Sequence, residues 1–545
     1  MNVLQSIDVP VGMRDKVFLS TDIRRPAGRG PFPTLVYRTP YNNQGFAIDD
    51  PYLASGYAVV KQDCRGRFDS EGVFDPFREA ADGSDTLAWV KDQPWCDGRI
   101  GLIGNSYCAT TQLNTAWTRP VGLRAMTPGV MGCDLFKDVI YFNGVFNLSL
   151  AFAWGAAVAG RTVQGLETTD LQTVFRHLPL NTMDEAAGFR LPYLHDWLAH
   201  PVYDDYWAQV SIEQHYPQFD LPALHAGGWY DFYAEGVVRN FCGIRERGGA
   251  QARRAQKLIM GPWVHGLGGR AIGAMDFGEA ASVQMEPIYK RWIDRWVKGE
   301  DNGIDREPPV RIFIMGANVW RDESEWPLAR TVETPCFLMS EGGANTQGGD
   351  GRLQGRFRGG AACDHFVYDP ADPVPTVGGN GYAVPSGPTD HAEIERRPDV
   401  LVYTGEPLEQ PLEITGFVRA VLYASSDAPD TDFVLRLCDL YPDGRSIILC
   451  DGIVRARFRE GLDKEVFMNP GTVYEFQVAL GVTSNVFLPG HRIRLEVTSS
   501  CFPRFARNLN TGESASCGLR MQVARQTLWH SVLQPSRLIL PVIPQ

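Results

Sequence analysis

Ile100-Gly-Leu-Ile-Gly104-Asn105-Ser106-Tyr107-Cys108-Ala109 is the stretch on which the reading of this chain turns. Ile100 to Ile103 has the composition of a buried strand, and it runs straight into Gly-x-Ser and then into helix-compatible residues. A strand-to-helix turn of this sharpness projects a serine hydroxyl above the edge of a sheet, where it can act as a nucleophile. Gly104 permits the turn, while Cys108 stands where the general G-x-S-x-G pattern has its last glycine. Gly-x-Ser by itself occurs by chance in long chains and then marks an ordinary turn. The strand in front of it is what favours a nucleophile elbow here.

Short apolar runs alternate with helical stretches on both sides of the elbow. Thr34-Leu-Val-Tyr37 and Tyr57-Ala-Val-Val60 read as buried strands, and Glu79 to Lys91 sets Ala80, Leu87 and Val90 at helical spacing before Pro94. Such β-α alternation predicts a mostly parallel sheet with helices on both faces. Between about Gly132 and Phe219 strand signals vanish, and helix formers with aromatics such as Trp154, Phe175, Trp197 and Trp207 take over. Sheet signals resume at Leu221-Pro-Ala-Leu-His225 and Lys257-Leu-Ile-Met260. Beyond Trp326-Pro327 come short β-rich runs (Phe433–Leu437, Ser446–Leu449, Ile493–Val497), with Asp443-Gly444 as a hairpin turn. The expected organisation is an α/β domain from residues 1–132 and 220–330, a helical insertion from 133–219, and a β-sandwich or jelly roll from 331–545. The Gly-rich stretch Gly342 to Gly360 reads as a surface loop, because no strand-to-helix context makes it a phosphate cradle.

The 545 residues are 44% hydrophobic and 21% charged, a globular balance that excludes disorder and collagen-like repeats. Lysine and arginine total 52 against 64 acidic residues, a net charge of −12, with no basic cluster to grip nucleic acid or an anionic membrane. Eleven scattered cysteines without a CxxC pair fit a reducing compartment better than a disulfide framework or a zinc site. No basic-then-apolar leader opens the chain. The longest apolar run, Val145 to Gly160, is broken by Asn147 and Ser149 and is shorter than the ~20 residues that cross a bilayer, so it reads as a buried helix. A soluble, cytoplasmic protein is expected.

An unassisted serine is a weak nucleophile and needs a base and an orienting carboxylate. When an elbow serine comes first, the partners follow in the order Asp or Glu, then His. His265 follows Leu258-Ile-Met-Gly-Pro-Trp263, a strand closing into a loop, and Asp231 ends Gly227-Gly-Trp-Tyr-Asp231 after another strand. Ser106, Asp231, His265 is therefore the candidate triad. His225 lies inside a predicted strand and reads as core. His177, His195, His200 and His215 in the insertion, and His365, His391, His491 and His530 in the β-rich part, are expected to be structural.

Further segments carry a specific resemblance. Leu35-Val-Tyr-Arg-Thr-Pro-Tyr41, Gln62-Asp-Cys-Arg-Gly-Arg67 with Ser70-Glu-Gly72, Trp95-Cys-Asp-Gly98, Gly104-Asn-Ser-Tyr107, Gly228-Trp-Tyr-Asp231 and Gly261-Pro-Trp-Val-His265 occur in this order. Together they resemble the bacterial cocaine esterase and Xaa-Pro dipeptidyl-peptidase (S15) family of serine hydrolases. Trp320-Arg-Asp-Glu-Ser-Glu-Trp-Pro327, Asp430-Thr-Asp-Phe433 and Pro535-Ser-Arg-Leu-Ile-Leu-Pro541 are similar to its C-terminal jelly-roll domain, so the likeness covers nearly the whole chain. It implies an α/β-hydrolase core with a helical cap and a C-terminal jelly roll. It implies Ser106 as nucleophile, His265 as general base and acid, and Asp231 as the group that orients the imidazole. It also implies an oxyanion hole built from the Tyr41 hydroxyl and the Tyr107 amide, in place of a His-Gly-Gly-Gly motif. Where the family commonly has Ser-Tyr-x-Gly, this chain has Ser106-Tyr-Cys-Ala109, a departure expected to tighten packing without removing the chemistry.

The expected function is hydrolysis of a small-molecule ester with an apolar or aromatic acyl group, through an acyl-enzyme on Ser106 and without metal or organic cofactor. Tyr233 and Trp154 resemble positions that line an aromatic acyl pocket, although Trp154 on an apolar helix is equally a core residue. The alternatives are a dipeptidyl-peptidase or amidase, an α-amino acid ester hydrolase, an acyltransferase, and a non-catalytic binding protein. The family's dipeptidases usually carry an extra N-terminal domain, for which strands beginning almost at Met1 leave no room. Its amino-ester hydrolases hold a substrate ammonium with acids just after the catalytic aspartate, but Phe232-Tyr-Ala234 follows Asp231 here, leaving Glu235 or Asp204-Asp205 as substitutes. A homo-oligomer is compatible with the sequence.

Overall fold

The computed structural model describes residues 2–45, 49–357 and 363–544. Strands β1 (Val3–Gly12), β2 (Phe18–Pro26), β3 (Phe32–Thr39), β4 (Ala58–Asp63), β5 (Cys96–Asn105), β6 (Leu123–Gly129), β7 (Ala223–Gly228), β8 (Gln256–Gly261), β9 (Val310–Ile314) and β10 (Val319–Glu323) form one sheet. Their order is β1-β2-β4-β3-β5-β6-β7-β8-β9-β10. Neighbours from β4 across to β9 are parallel, and antiparallel pairs β1–β2, β2–β4 and β9–β10 finish the two sides. Parallel neighbours need crossovers, and helices such as Ala80–Lys91, Tyr107–Ala116 and Ala234–Arg247 supply them. Because both faces are covered, the central strands carry continuous apolar runs: Leu35 and Val36 of β3, Val59 and Val60 of β4, and Leu258 to Met260 of β8 are buried. His225 lies on β7, buried, with its Nε2 at 2.9 Å from Gln256 Oε1 on β8.

Between β6 and β7 the chain is mainly helical. Its longest helix, Leu148–Ala157, is buried on all sides from Leu148 to Ala156, which is why its residues are apolar all round rather than on one stripe. A two-residue hairpin, Tyr141–Phe142 with Val145–Phe146, interrupts the helices. Composition could not reveal it, because the same aromatics serve helix and strand.

The remainder is mostly strand, a β-sandwich of jelly-roll type whose strands join in one eleven-stranded sheet. Asp432–Leu440 pairs with Ser446–Arg455 across the Asp443-Gly444 turn, where Gly444 takes φ +93°. The Gly-rich stretch is not wholly loop: Arg352–Gln354 is a strand that pairs with Val332–Met339 and touches Leu401–Thr404. Its end, residues 358–360, lies outside the described residues. The two halves are tied by Arg321 of β10, which makes two bonds to the Glu413 carboxylate at 2.7 and 2.8 Å, and by the Tyr230 hydroxyl, which donates to the Ile448 carbonyl at 3.0 Å.

Candidate active site

Ser106 occupies the single-residue gap between β5 and the helix Tyr107–Ala116, with φ 57° and ψ −130°. Non-glycine residues rarely accept such a backbone, and a strained residue at a turn above a parallel sheet is a mark of function. The turn is locked from the next strand by Ser106 N–H, which donates to Gly129 O at 2.9 Å. A side chain at Gly104 (φ +133°) would bring its Cβ within 2.6 Å of Cys108 Cβ and 3.0 Å of the Tyr37 ring. Glycine is therefore needed at 104, and its missing Cβ opens the space that Cys108 fills. The Cys108 thiol is satisfied there by the Tyr37 hydroxyl at 3.1 Å.

His265 comes from the loop after β8, and its Nε2 lies 2.8 Å from Ser106 Oγ. On the other side its Nδ1 faces both Asp231 oxygens, at 3.2 and 3.3 Å. Asp231 is fully buried in the turn after β7 and accepts a further bond, 2.8 Å, from the Tyr233 N–H. A buried carboxylate facing Nδ1 fixes the tautomer in which Nε2 is free to take the serine proton. Phe232 stacks on the imidazole with ring centroids 4.4 Å apart, which sets the plane of the ring. Three segments far apart in sequence thus meet at the ends of β5, β7 and β8.

Tyr41 follows β3. Its hydroxyl oxygen accepts a bond from Trp154 Nε1 at 2.9 Å, so the phenolic hydrogen stays available to another acceptor. Burial pushes the Tyr41 phenol up, well above the usual tyrosine range, and keeps it protonated. The Tyr107 N–H opens its helix and has no intrahelical acceptor. The Tyr107 ring points elsewhere: its hydroxyl donates to Glu79 at 3.1 Å and accepts from the Phe77 N–H at 2.7 Å. Glu79 in turn pairs with the buried Arg38 at 3.0 Å, a charge pair behind the elbow.

A cavity of about 510 Å³ opens over Ser106 and His265, lined mostly by aromatic and aliphatic side chains that include Trp154, Tyr233, Phe77, Phe232 and Leu150. Trp154 and Tyr233 are thus both in its wall. None of the suggested ammonium anchors lines the cavity: Glu235 pairs with Arg239 at 2.5 Å, Asp204 caps a short helix and contacts His200, and Asp205 is exposed. Two lining residues, Glu286 and Tyr382, escape any reading of the sequence. Glu286 is the only carboxylate in the cavity wall among the described residues, and Tyr382 reaches in from the β domain. Neither sits in a motif that singles it out. Away from the cavity, His391, Cys438 and Glu496 cluster as metal ligands would. His391, however, has one ring nitrogen on Glu496 at 2.9 Å and the other on the Val377 carbonyl at 2.6 Å. Two acceptors require both nitrogens to carry hydrogen, which leaves no lone pair for a metal.

Residues 15–267 match the family model described as X-Pro dipeptidyl-peptidase (S15 family), and residues 302–539 match that of the X-Pro dipeptidyl-peptidase C-terminal non-catalytic domain. The cocaine esterase of Rhodococcus sp. (strain MB1 Bresler) is 37% identical over 577 residues, covering 98% of each chain. The chain belongs to the cocaine esterase and X-Pro dipeptidyl-peptidase (S15) family. Solved structures similar to this S15 member include an aminopeptidase from a marine-sediment Thaumarchaeota archaeon, with TM-score 0.89 and 26% identity over 100% of this chain and 97% of that one. An α-amino acid ester hydrolase gives TM-score 0.86 and 27% identity over 99% and 96%. With the cocaine esterase and the α-amino acid ester hydrolase among its relatives, the chain is a serine hydrolase of carboxylic esters.

Proposed function

We propose that the protein hydrolyses small-molecule esters with an apolar or aromatic acyl group, through a covalent acyl-enzyme on Ser106. The observation that carries this reading is the 2.8 Å contact of Ser106 Oγ with His265 Nε2 at the floor of an aromatic cavity. His265 takes the serine proton as Oγ attacks the carbonyl carbon. The tetrahedral oxyanion is held by the Tyr41 hydroxyl and the Tyr107 N–H, both of which have hydrogen to give. Collapse breaks the bond to the alcohol oxygen, and His265 returns the proton to that leaving group. Water then attacks the acyl-enzyme by the same route and frees the acid. Asp231 orients the imidazole and stabilises the imidazolium in each step. Cysteines that are all free fit a reducing, cytoplasmic setting.

Chromogenic phenyl esters that vary the acyl side, with an Xaa-Pro anilide beside them, test the reading. Benzoyl and medium-chain acyl esters are expected to exceed acetyl esters and the anilide in kcat/KM. Faster turnover of the anilide would make the protein a peptidase instead. Glu286 favours a second reading, an ester that bears an amine. Its carboxyl is the only one in the cavity wall among the described residues, beside the Tyr52 hydroxyl. On that reading Glu286→Gln costs kcat/KM for amino acid esters about tenfold and leaves their neutral isosteres unchanged.

A further inference from the structure

We propose that the C-terminal β domain belongs to the catalytic apparatus, acting through Asn380 as a positioning residue for the Asp231 turn. The inference rests on Asp231 serving as the acid of the triad. Asp231 is held by a turn, Trp229 to Tyr233, between the end of β7 and the helix Ala234–Arg247. A turn that must aim one buried carboxylate needs its peptide planes fixed from outside. The Asn380 side-chain amide does this: Nδ2 donates to the Asp231 carbonyl at 2.8 Å and to the Trp229 carbonyl at 3.2 Å. Both hydrogens of one NH₂ group therefore staple the two sides of the turn, two residues apart.

The segment that carries Asn380 is itself fixed at several points. Gly379 and Gly387 exchange backbone bonds of 2.9 Å in each direction, which closes residues 379–387 into a loop. The Pro388 carbonyl accepts the Ala274 N–H at 2.7 Å, from the chain that follows His265. At the base, the Val377 carbonyl accepts a bond from His391, whose other nitrogen meets the buried Glu496 carboxylate. Glu496 also pairs with the buried Arg436 at 3.2 Å. At the tip, Tyr382 packs edge-on against Phe232, the ring that stacks on His265. One segment of the β domain thus bears on the acid, on the ring beneath the base, and on the cavity wall. The β domain is in this sense an outer shell of the triad, since displacing a catalytic group by ~1 Å can cost ~10²-fold in rate.

Steady-state kinetics on the full-length protein tests this. Asn380→Ala is expected to lower kcat by ~10- to 100-fold with a neutral aryl ester, with KM within about twofold and the unfolding temperature nearly unchanged. Asn380→Asp, which keeps the shape but turns oxygen toward both carbonyls, is expected to do the same and serves if the alanine variant folds poorly. The decisive readout is the double variant. Because Asn380 acts through Asp231, Asn380→Ala in an Asp231→Asn background is expected to cost little beyond Asp231→Asn alone. Fully additive losses, unchanged kcat in both Asn380 variants, or activity that falls only in step with unfolding would overturn the proposal. Full activity in Asp231→Asn alone would instead refute the triad reading, and the proposal with it.

Discussion

The Tyr41 hydroxyl accepts the Trp154 N–H, which leaves its own hydrogen for the oxyanion of the proposed mechanism. That division gives two graded expectations. Tyr41→Phe removes the donor and is expected to lower kcat by ~10²–10³, as loss of one oxyanion donor usually does. Trp154→Phe keeps an aromatic wall but frees the phenol to rotate, so a smaller fall in kcat, about tenfold, is expected with little change in KM for aromatic acyl esters. Stopped-flow acylation rates for the two variants would establish the ranking. Equal losses would mean that Trp154 does more than hold Tyr41.

Two elements bring these residues to their places, and each has a testable weak point. At the elbow, Gly104→Ala sets a Cβ 2.6 Å from Cys108 Cβ at a φ of +133°. It is expected to destabilise by ~1–3 kcal/mol or more and to misalign Ser106, and Cys108→Gly in the same chain is expected to restore part of both. Thermal unfolding together with active-site titration would follow the rescue. At the end of β4, the Asp63 carboxylate accepts the Asn43 N–H at 2.7 Å, two residues past Tyr41. Burial raises the Asp63 pKa to about 7, against the backbone hydrogen bond from Asn43. The fold therefore holds a proton there that the unfolded chain sheds above pH ~4, so this group's contribution to stability declines as pH rises from ~4 to about 7 and is level beyond. Asp63→Asn, which keeps an acceptor for Asn43, is expected to flatten that slope. Calorimetry at pH 5 and pH 8 would reveal it, and an unchanged slope would contradict the assignment.

What the sequence disclosed follows the same division. The elbow was legible because Ile100 to Ile103, Gly104 and Ser106 are contiguous, and Asp231 and His265 because each follows an apolar strand that ends at one edge of the sheet. Asn380 was not legible: it lies 149 residues from Asp231, in a Gly-rich stretch whose local pattern says only turn. Glu286 was equally silent, one acid on an amphipathic helix among many such acids. The hairpin at Tyr141–Phe146 escaped because its pairing is only two residues long.

For the whole molecule, the α/β part, the helical stretch between β6 and β7 and the β-rich part together line the cavity over Ser106, and free cysteines leave the chain without a covalent staple. All eleven cysteines are free. Excess dithiothreitol is therefore expected to leave the unfolding temperature and activity unchanged, and a fall in either would reveal a disulfide. The central claim is that Ser106, activated by His265 and Asp231, forms the covalent bond to the acyl group. Labelling with a fluorophosphonate, followed by peptide mass spectrometry, tests it most directly. One adduct on Ser106, absent in Ser106→Ala and much slowed in His265→Ala, is the expected result. An adduct on another residue, or undiminished labelling of Ser106→Ala, would contradict it.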